Sequence, residues 1–327
     1  MDEGLRNTYL VKMNKIGSFF RLVRWPNLLI ITLMMCLVYH CVIMMQSSMA
    51  FTLFVISMVL VVAGGYVIND IFDVETDSIN KPDKVIVGGV FSERQSEMFY
   101  WALTIIGLCC GLASSIIAFG SRFYLIFACL LLLAGILYSY SSTYKKKLII
   151  GNVIVSLSVA FAVFLPWLYV LLYMLGDPLL LQSHGEFVMS SFRIVLIYTA
   201  FAFLATMIRE IIKDMEDADG DGRTHCRTIP VVWGGRTAGY IAEFLILLLF
   251  VLLIFVMNHS ESLRVSEVTS YALFLICVLL FVVFVTLVML GREMMKNPEK
   301  ILHGLSVIMK IIILIGVLSM GFVNFNR

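Results

Sequence analysis

Thirteen of the 22 Asp and Glu residues fall in two short stretches, seven from Asp70 to Glu97 and six from Glu210 to Asp221. In the first, Asn69, Asp73 and Asp77 recur at intervals of four, so on a helix they share one face. Like charges at that spacing destabilise an isolated helix, which calls for a compensating partner, and a divalent cation is the economical one. In the second, Arg209, Lys213, Asp217 and Asp221 repeat the interval, two cations followed by two anions, with Gly220 and Gly222 expected to weaken the helix near its end. Two carboxylate pairs with bases beside each have the chemistry to hold Mg²⁺ and a diphosphate together. Mg²⁺ takes a few carboxylate oxygens, keeps some waters and bridges to phosphate oxygens, while Arg and Lys complete the neutralisation.

The elements that must position these groups are membrane helices. Of 327 residues 61% are hydrophobic and only 14% charged, and the mean hydropathy is +0.97. Apolar runs of about twenty residues, each long enough to cross a hydrocarbon core of about 30 Å, recur along the chain. Their continuity excludes a soluble or disordered chain and the alternating strands of a β-barrel. Nine spans are expected near 27–46, 51–72, 98–119, 123–142, 150–175, 190–212, 237–257, 269–290 and 301–323. The fold class is therefore all-α and polytopic, with about nine transmembrane helices around a central cavity and the two aspartate-bearing helix ends facing each other from separate halves. Residues 1–24 form a cytoplasmic N-terminal segment, without the cleavage site of a signal peptide, and 25–327 a single transmembrane domain.

Placing the N-terminus inside puts 19 of the 24 Lys and Arg in inner segments, which gives an N-in, C-out topology. The long polar connections near 73–97 and 213–236, and both acidic clusters with them, then face the cytoplasm. The expected location is a multi-pass integral membrane protein with its active site on the cytoplasmic side, the inner membrane in a bacterium. A net charge of +2 gives no reason to expect a nucleic-acid partner. Six of the seven cysteines lie in apolar segments as small fillers, and the five histidines form no ligand pair.

Three rival readings fit less well. Asp217-Ala218-Asp219-Gly220-Asp221-Gly222 matches the opening of an EF-hand loop, but its twelfth position is Thr228, where a bidentate Glu is required. A cation-coupled secondary transporter more often carries its acids near the bilayer midplane than at the ends of two spans. A CDP-alcohol phosphotransferase has a signature that links D-G and A-R at fixed distances in one segment, a linkage missing here.

These residues resemble the UbiA-type intramembrane prenyltransferases. The family motif N-D-x-x-D-x-x-x-D is matched by Asn69, Asp70, Asp73 and Asp77 after Gly64-Gly65-Tyr66-Val67-Ile68, and D-x-x-x-D by Asp217 and Asp221 before Arg227-Thr228-Ile229-Pro230. Arg24-Trp25-Pro26-Asn27 resembles the family's entry into the first span, and Leu137-Tyr138-Ser139, Lys145-Lys146-Lys147 and Gly151-Asn152 its segment ahead of the fifth. After Asp77, Lys81-Pro82-Asp83-Lys84-Val85 keeps the positive charge of the family's loop but loses two prolines and a serine. Arg209-Glu210-Ile211-Ile212-Lys213-Asp214 looks more like the branch that prenylates glycerol phosphate ethers, such as geranylgeranylglyceryl-phosphate geranylgeranyltransferase, or like the chlorophyll-synthase neighbours, than like the hydroxybenzoate branch.

The resemblance implies a prenyltransferase, an enzyme transferring an alkyl group other than methyl, that moves a prenyl chain from an isoprenyl diphosphate to a lipophilic acceptor in the bilayer. It implies that Asp73, Asp77, Asp217 and Asp221 hold Mg²⁺, assisted by Asn69. Lys84, Arg209, Lys213, Tyr138, Ser139 and Arg24 would bind the diphosphate, with Tyr138 and Tyr140 both available as the tyrosine that faces it. As the allylic C–O bond breaks, metal and bases stabilise the leaving group, and an apolar cavity keeps water from the carbocation. A glycerol-phosphate ether acceptor is expected, with an aromatic quinone precursor as the alternative. For an acceptor hydroxyl, Asp70, Asp214 and Glu210 all stand as candidate bases.

Overall fold

The computed structural model describes residues 15–43, 45, 48–80, 85–224, 226–260, 263, 265–291 and 298–323, without the side chains at 79, 80, 184 and 187. Among them, nine helices are long and apolar enough to cross a membrane. An amphipathic helix α1 (Lys15–Leu22) leads into α2 (Trp25–Leu37), which a π-turn extends to Val42. The others are α3 (Met49–Phe72), α4 (Val74–Asn80), α5 (Glu93–Phe119), α6 (Tyr124–Ser139), α7 (Ile150–Met174), α8 (Pro178–Arg223), α9 (Ile229–Trp233), α10 (Gly235–Asn258), α11 (Glu267–Gly291) and α12 (Pro298–Ser319). All are the expected spans except the short α1, α4 and α9.

The chain forms two compact units. One takes in the chain to Thr32 together with Ser48–Lys145, the other Leu33–Ser47 with Lys146–Arg327. In the first, α3 and α5 run antiparallel at close range, because small residues line the seam. A Cβ added at Gly64 would stand 2.5 Å from Thr104 Oγ1, and one at Gly111 would stand 2.4 Å from Leu130 Cδ1 and 2.6 Å from Ser57 Oγ. Ser114 Oγ closes one end of the seam by donating to the Ala50 carbonyl at 2.6 Å. Such small-residue contacts replace the hydrophobic drive that lipid removes. A small core of Leu22, Val23, Val67, Val87, Phe91 and Tyr100 fills the other end.

In the second unit, α8 is the spine against which α7, α10 and α12 pack, with α11 between α10 and α12. Its core includes Phe201, Ile208, Ile211, Ile212, Ala242, Ile246, Leu280 and Met309. Polar braces hold the helices in register: Trp167 Nε1 donates to the Val188 carbonyl at 3.0 Å, and the Tyr198 hydroxyl meets Ser319 Oγ at 3.0 Å. Large side chains such as Leu131, Leu132, Tyr271, Phe274 and Phe281 are exposed on helix surfaces, as lipid-facing positions are.

Two helix boundaries differ from expectation where it bears on function. The helix expected over 190–212 runs from Pro178 to Arg223, 46 residues. Its start is fixed by Asp177, whose carboxylate accepts from the N–H groups of Leu179 and Leu180, and its end passes through Gly220 and Gly222 without breaking. The acidic stretch after α3, whose intervals of four read as helical, does not continue that helix unbroken. It has a joint instead at Asp73 (φ −97°, ψ 1°), after which α4 begins.

Candidate functional site

The first cluster is built at the joint between α3 and α4. Asp73 closes α3, yet its N–H still reaches the Asn69 carbonyl at 3.0 Å and its own carbonyl accepts from the Asp77 N–H at 2.8 Å. The four-residue interval thus survives the joint, and Asn69, Asp73 and Asp77 stay on one side. Asn69 and Asp73 are buried, Asp77 half-buried. Asn69 Nδ2 donates to Asp73 Oδ2 at 2.7 Å, and Lys145 Nζ reaches the same oxygen. Lys145 is delivered by a π-turn, Tyr140–Tyr144, that finishes α6 and leaves the Lys145 N–H on the Tyr140 carbonyl. A widened turn at a helix end is a common device for re-aiming a functional side chain.

Asp70 has a different partner. Arg24, between α1 and α2, sets Nη2 2.8 Å from Asp70 Oδ1 and its guanidinium 4.8 Å from the centre of the Tyr66 ring. Its backbone is left-handed (φ 52°), a conformation that costs a residue with a side chain about 1–2 kcal/mol and turns the chain sharply into α2. Burial works against the Arg24 charge, but Asp70 above all, with Tyr66 and Asp73, outweighs it and raises its pKa above the ordinary value. Asn27 Nδ2 donates to the Tyr66 hydroxyl at 3.2 Å, fixing the ring beneath the guanidinium. Tyr138 packs edge-on against Phe72 and tilted over Tyr100, and its neighbour Ser139 is the last residue of α6. Lys84 lies outside the described residues.

The second cluster occupies the last turns of α8. Arg209, Lys213, Asp217 and Asp221 follow one another along a single helix, as their spacing requires. The Arg209 guanidinium pairs with Glu210 through Nη1, while its buried Nε has no hydrogen-bond partner. Asn152, buried in the first turn of α7, donates from Nδ2 to Asp214 Oδ2 at 2.7 Å. Glu216 is met by His303 of α12 at 2.9 Å. Beyond α8 the Arg227 N–H donates to the Lys146 carbonyl at 3.1 Å, tying the Arg-Thr-Ile-Pro segment to the basic run before α7.

Among the described residues no three His, Cys, Asp or Glu side chains converge as a closed metal centre would. The donors are carboxylate and carboxamide oxygens presented as pairs, which suits a hard cation that keeps waters and takes substrate oxygens. The unpartnered Nε of Arg209 is a donor available to an anion. The helical course of 217–222 is incompatible with a calcium loop. Three partners escaped sequence reasoning: Lys145 for Asp73, Asn152 for Asp214 and Tyr66 for Arg24. The first two lie in the Lys145-Lys146-Lys147 and Gly151-Asn152 segments, so a signal was present without an address.

Residues 27–302 match the model of the UbiA prenyltransferase family. Digeranylgeranylglyceryl phosphate synthase of Saccharolobus solfataricus is 33% identical over 193 residues, 59% of this chain and 60% of that protein, so the match spans less than two thirds of that relative. A structure solved in work on digeranylgeranylglyceryl phosphate synthase in membranes shares the fold with a TM-score of 0.64 at 24% identity, over 94% of this chain and 99% of that one. A UbiA homologue from Archaeoglobus fulgidus, bound to GPP and Mg²⁺, does so with 0.55 at 17%, over 93% and 99%. With some five sixths of its length inside the family match and its helices following the family fold, the chain belongs to the UbiA prenyltransferase family.

Proposed function

We propose that this protein transfers a prenyl group from an isoprenyl diphosphate to the hydroxyl of a glycerol-phosphate ether lipid, with Asp73, Asp77, Asp217 and Asp221, assisted by Asn69, as the residues that hold Mg²⁺. The observation that carries the reading is Asp73. A buried carboxylate placed at a helix joint, with a carboxamide and a lysine on one oxygen, is costly to maintain unless its charge is used. The names of the relatives support the ether-lipid acceptor, and the likeness to a homologue solved with GPP and Mg²⁺ supports the metal and the donor class.

Mg²⁺, when bound, supplies positive charge at the diphosphate as the allylic C–O bond breaks. The chain's own part is to bind and orient. Lys213 and Arg209 on α8, Lys84, and Tyr138 with Ser139 at the end of α6 take phosphate oxygens, and Arg24 adds positive charge beside the first cluster. Apolar side chains of the spans keep water from the prenyl carbon until the acceptor arrives. The Lys and Arg asymmetry of the connections supports a site on the cytoplasmic side.

Purified protein in liposomes, given geranylgeranyl diphosphate, Mg²⁺ and a host lipid extract, is expected to release pyrophosphate and form a heavier lipid. Asp73→Asn and Asp217→Asn are each expected to lower kcat by about 10²–10³-fold. Absence of donor binding by the wild-type protein would remove the reading altogether.

A further inference from the structure

We infer that Asp214, oriented by Asn152, is the carboxylate that takes the proton from the acceptor's hydroxyl. This rests on the reading of the acceptor as an alcohol. The two clusters repeat one pattern, D-x-x-D-x-x-x-D, as Asp70, Asp73, Asp77 and as Asp214, Asp217, Asp221. The second and third aspartates of each are the metal pair, which leaves Asp70 and Asp214 as corresponding residues with no assigned work.

Their surroundings diverge. Asp70 faces a permanent cation, Arg24, whose Nη2 lies 2.8 Å from Oδ1 and so occupies that oxygen. Asp214 faces a neutral carboxamide, Asn152, at 2.7 Å, with no ion pair among the described residues. The Asn152 bond goes to Oδ2, which fixes the carboxylate plane and leaves Oδ1 without a hydrogen bond. Asn152 is itself 8% exposed, in the first turn of a packed span, so it can hold that plane. The other acids nearby are engaged: Glu210 pairs with Arg209, and Glu216 with His303. Of the three candidate bases named from the sequence, only Asp214 has no ion-pair partner among the described residues, the Lys213 charge acting on it through space alone.

In the step assigned to it, the acceptor oxygen forms the new bond to the prenyl carbon as the donor's C–O bond breaks and its electron pair leaves with diphosphate. The hydroxyl proton passes to Asp214 Oδ1 and from there to water or the departing diphosphate, which regenerates the carboxylate. A general base of this kind contributes about 10²–10⁴-fold.

The test compares wild type, Asp214→Asn and Asp214→Ala for Mg²⁺-dependent donor binding, pyrophosphate release without acceptor, and lipid product. Asp214→Asn keeps a group that can accept the Asn152 hydrogen bond. It is expected to bind donor within about twofold of wild type and to release pyrophosphate to water undiminished, while lipid product falls by about 10²-fold or more. Formate added to Asp214→Ala is expected to restore part of the transfer, which a purely structural role would not allow. Transfer within about threefold of wild type in Asp214→Asn, or loss of donor binding together with transfer, overturns the inference and leaves the prenyltransferase reading intact. Failure of wild type to bind donor sinks that reading instead.

Discussion

Asp73 spends both of its stabilising contacts on a single oxygen, Oδ2, where Asn69 and Lys145 meet it. Lys145 is the only one of the two that carries charge, and 28% of its side chain is exposed against 8% for Asp73, so the carboxylate depends on the lysine more than the reverse. Lys145→Met would leave a buried charge beside an amide. The expected cost is about 2 kcal/mol without metal, less than for a fully buried pair because the lysine is partly wet. Melting of the detergent-solubilised protein should show a Tm several degrees below wild type in EDTA, with much of the gap closed by millimolar Mg²⁺ if Asp73 is a metal ligand. An equal deficit in EDTA and in Mg²⁺ would separate the lysine's structural role from any metal at Asp73.

At the scale of elements, the first unit depends on how near α3 and α5 approach. Gly111 has Leu130 and Ser57 where a methyl would go, whereas Gly135 on α6 has nothing within 4 Å of an added Cβ. Gly111→Val is therefore expected to lower Tm by several degrees through about 1–3 kcal/mol of overpacking, and Gly135→Ala to leave it unchanged or slightly raised. Matched melting curves would remove the seam from the account. The existence of all nine spans was legible because lipid demands continuous apolar runs. The ends of α8 were not, since hydropathy reports where a helix leaves lipid and is silent about where it stops being a helix. The same division holds at the site. The carboxylates could be read from their intervals along one helix, but Arg24 with Asp70, Lys145 with Asp73 and Asn152 with Asp214 are pairs 46, 72 and 62 residues apart, and spacing along the chain carries no information about such contacts.

For the whole molecule, the distribution of Lys and Arg is the one global signal, and it makes an orientation testable. Ser78, after the first cluster, and Ser183, in the opening turns of α8, are both exposed. In a background without native cysteines, Ser183→Cys is expected to react with a membrane-impermeant maleimide in intact cells, and Ser78→Cys only after permeabilisation. The reverse pattern would put both acidic clusters outside and contradict the cytoplasmic site. The uninterrupted course of α8 reaches further than orientation. At about 1.5 Å per residue its 46 residues measure about 69 Å, more than twice the hydrocarbon thickness. One rod carries the Tyr198 brace and, nineteen positions on, Asp217. Because each residue adds about 100° of rotation, the direction of every acid beyond the brace is a matter of counting. Along that stretch the number of residues matters as much as their kind, since one codon gained or lost would swing the whole acidic end out of phase.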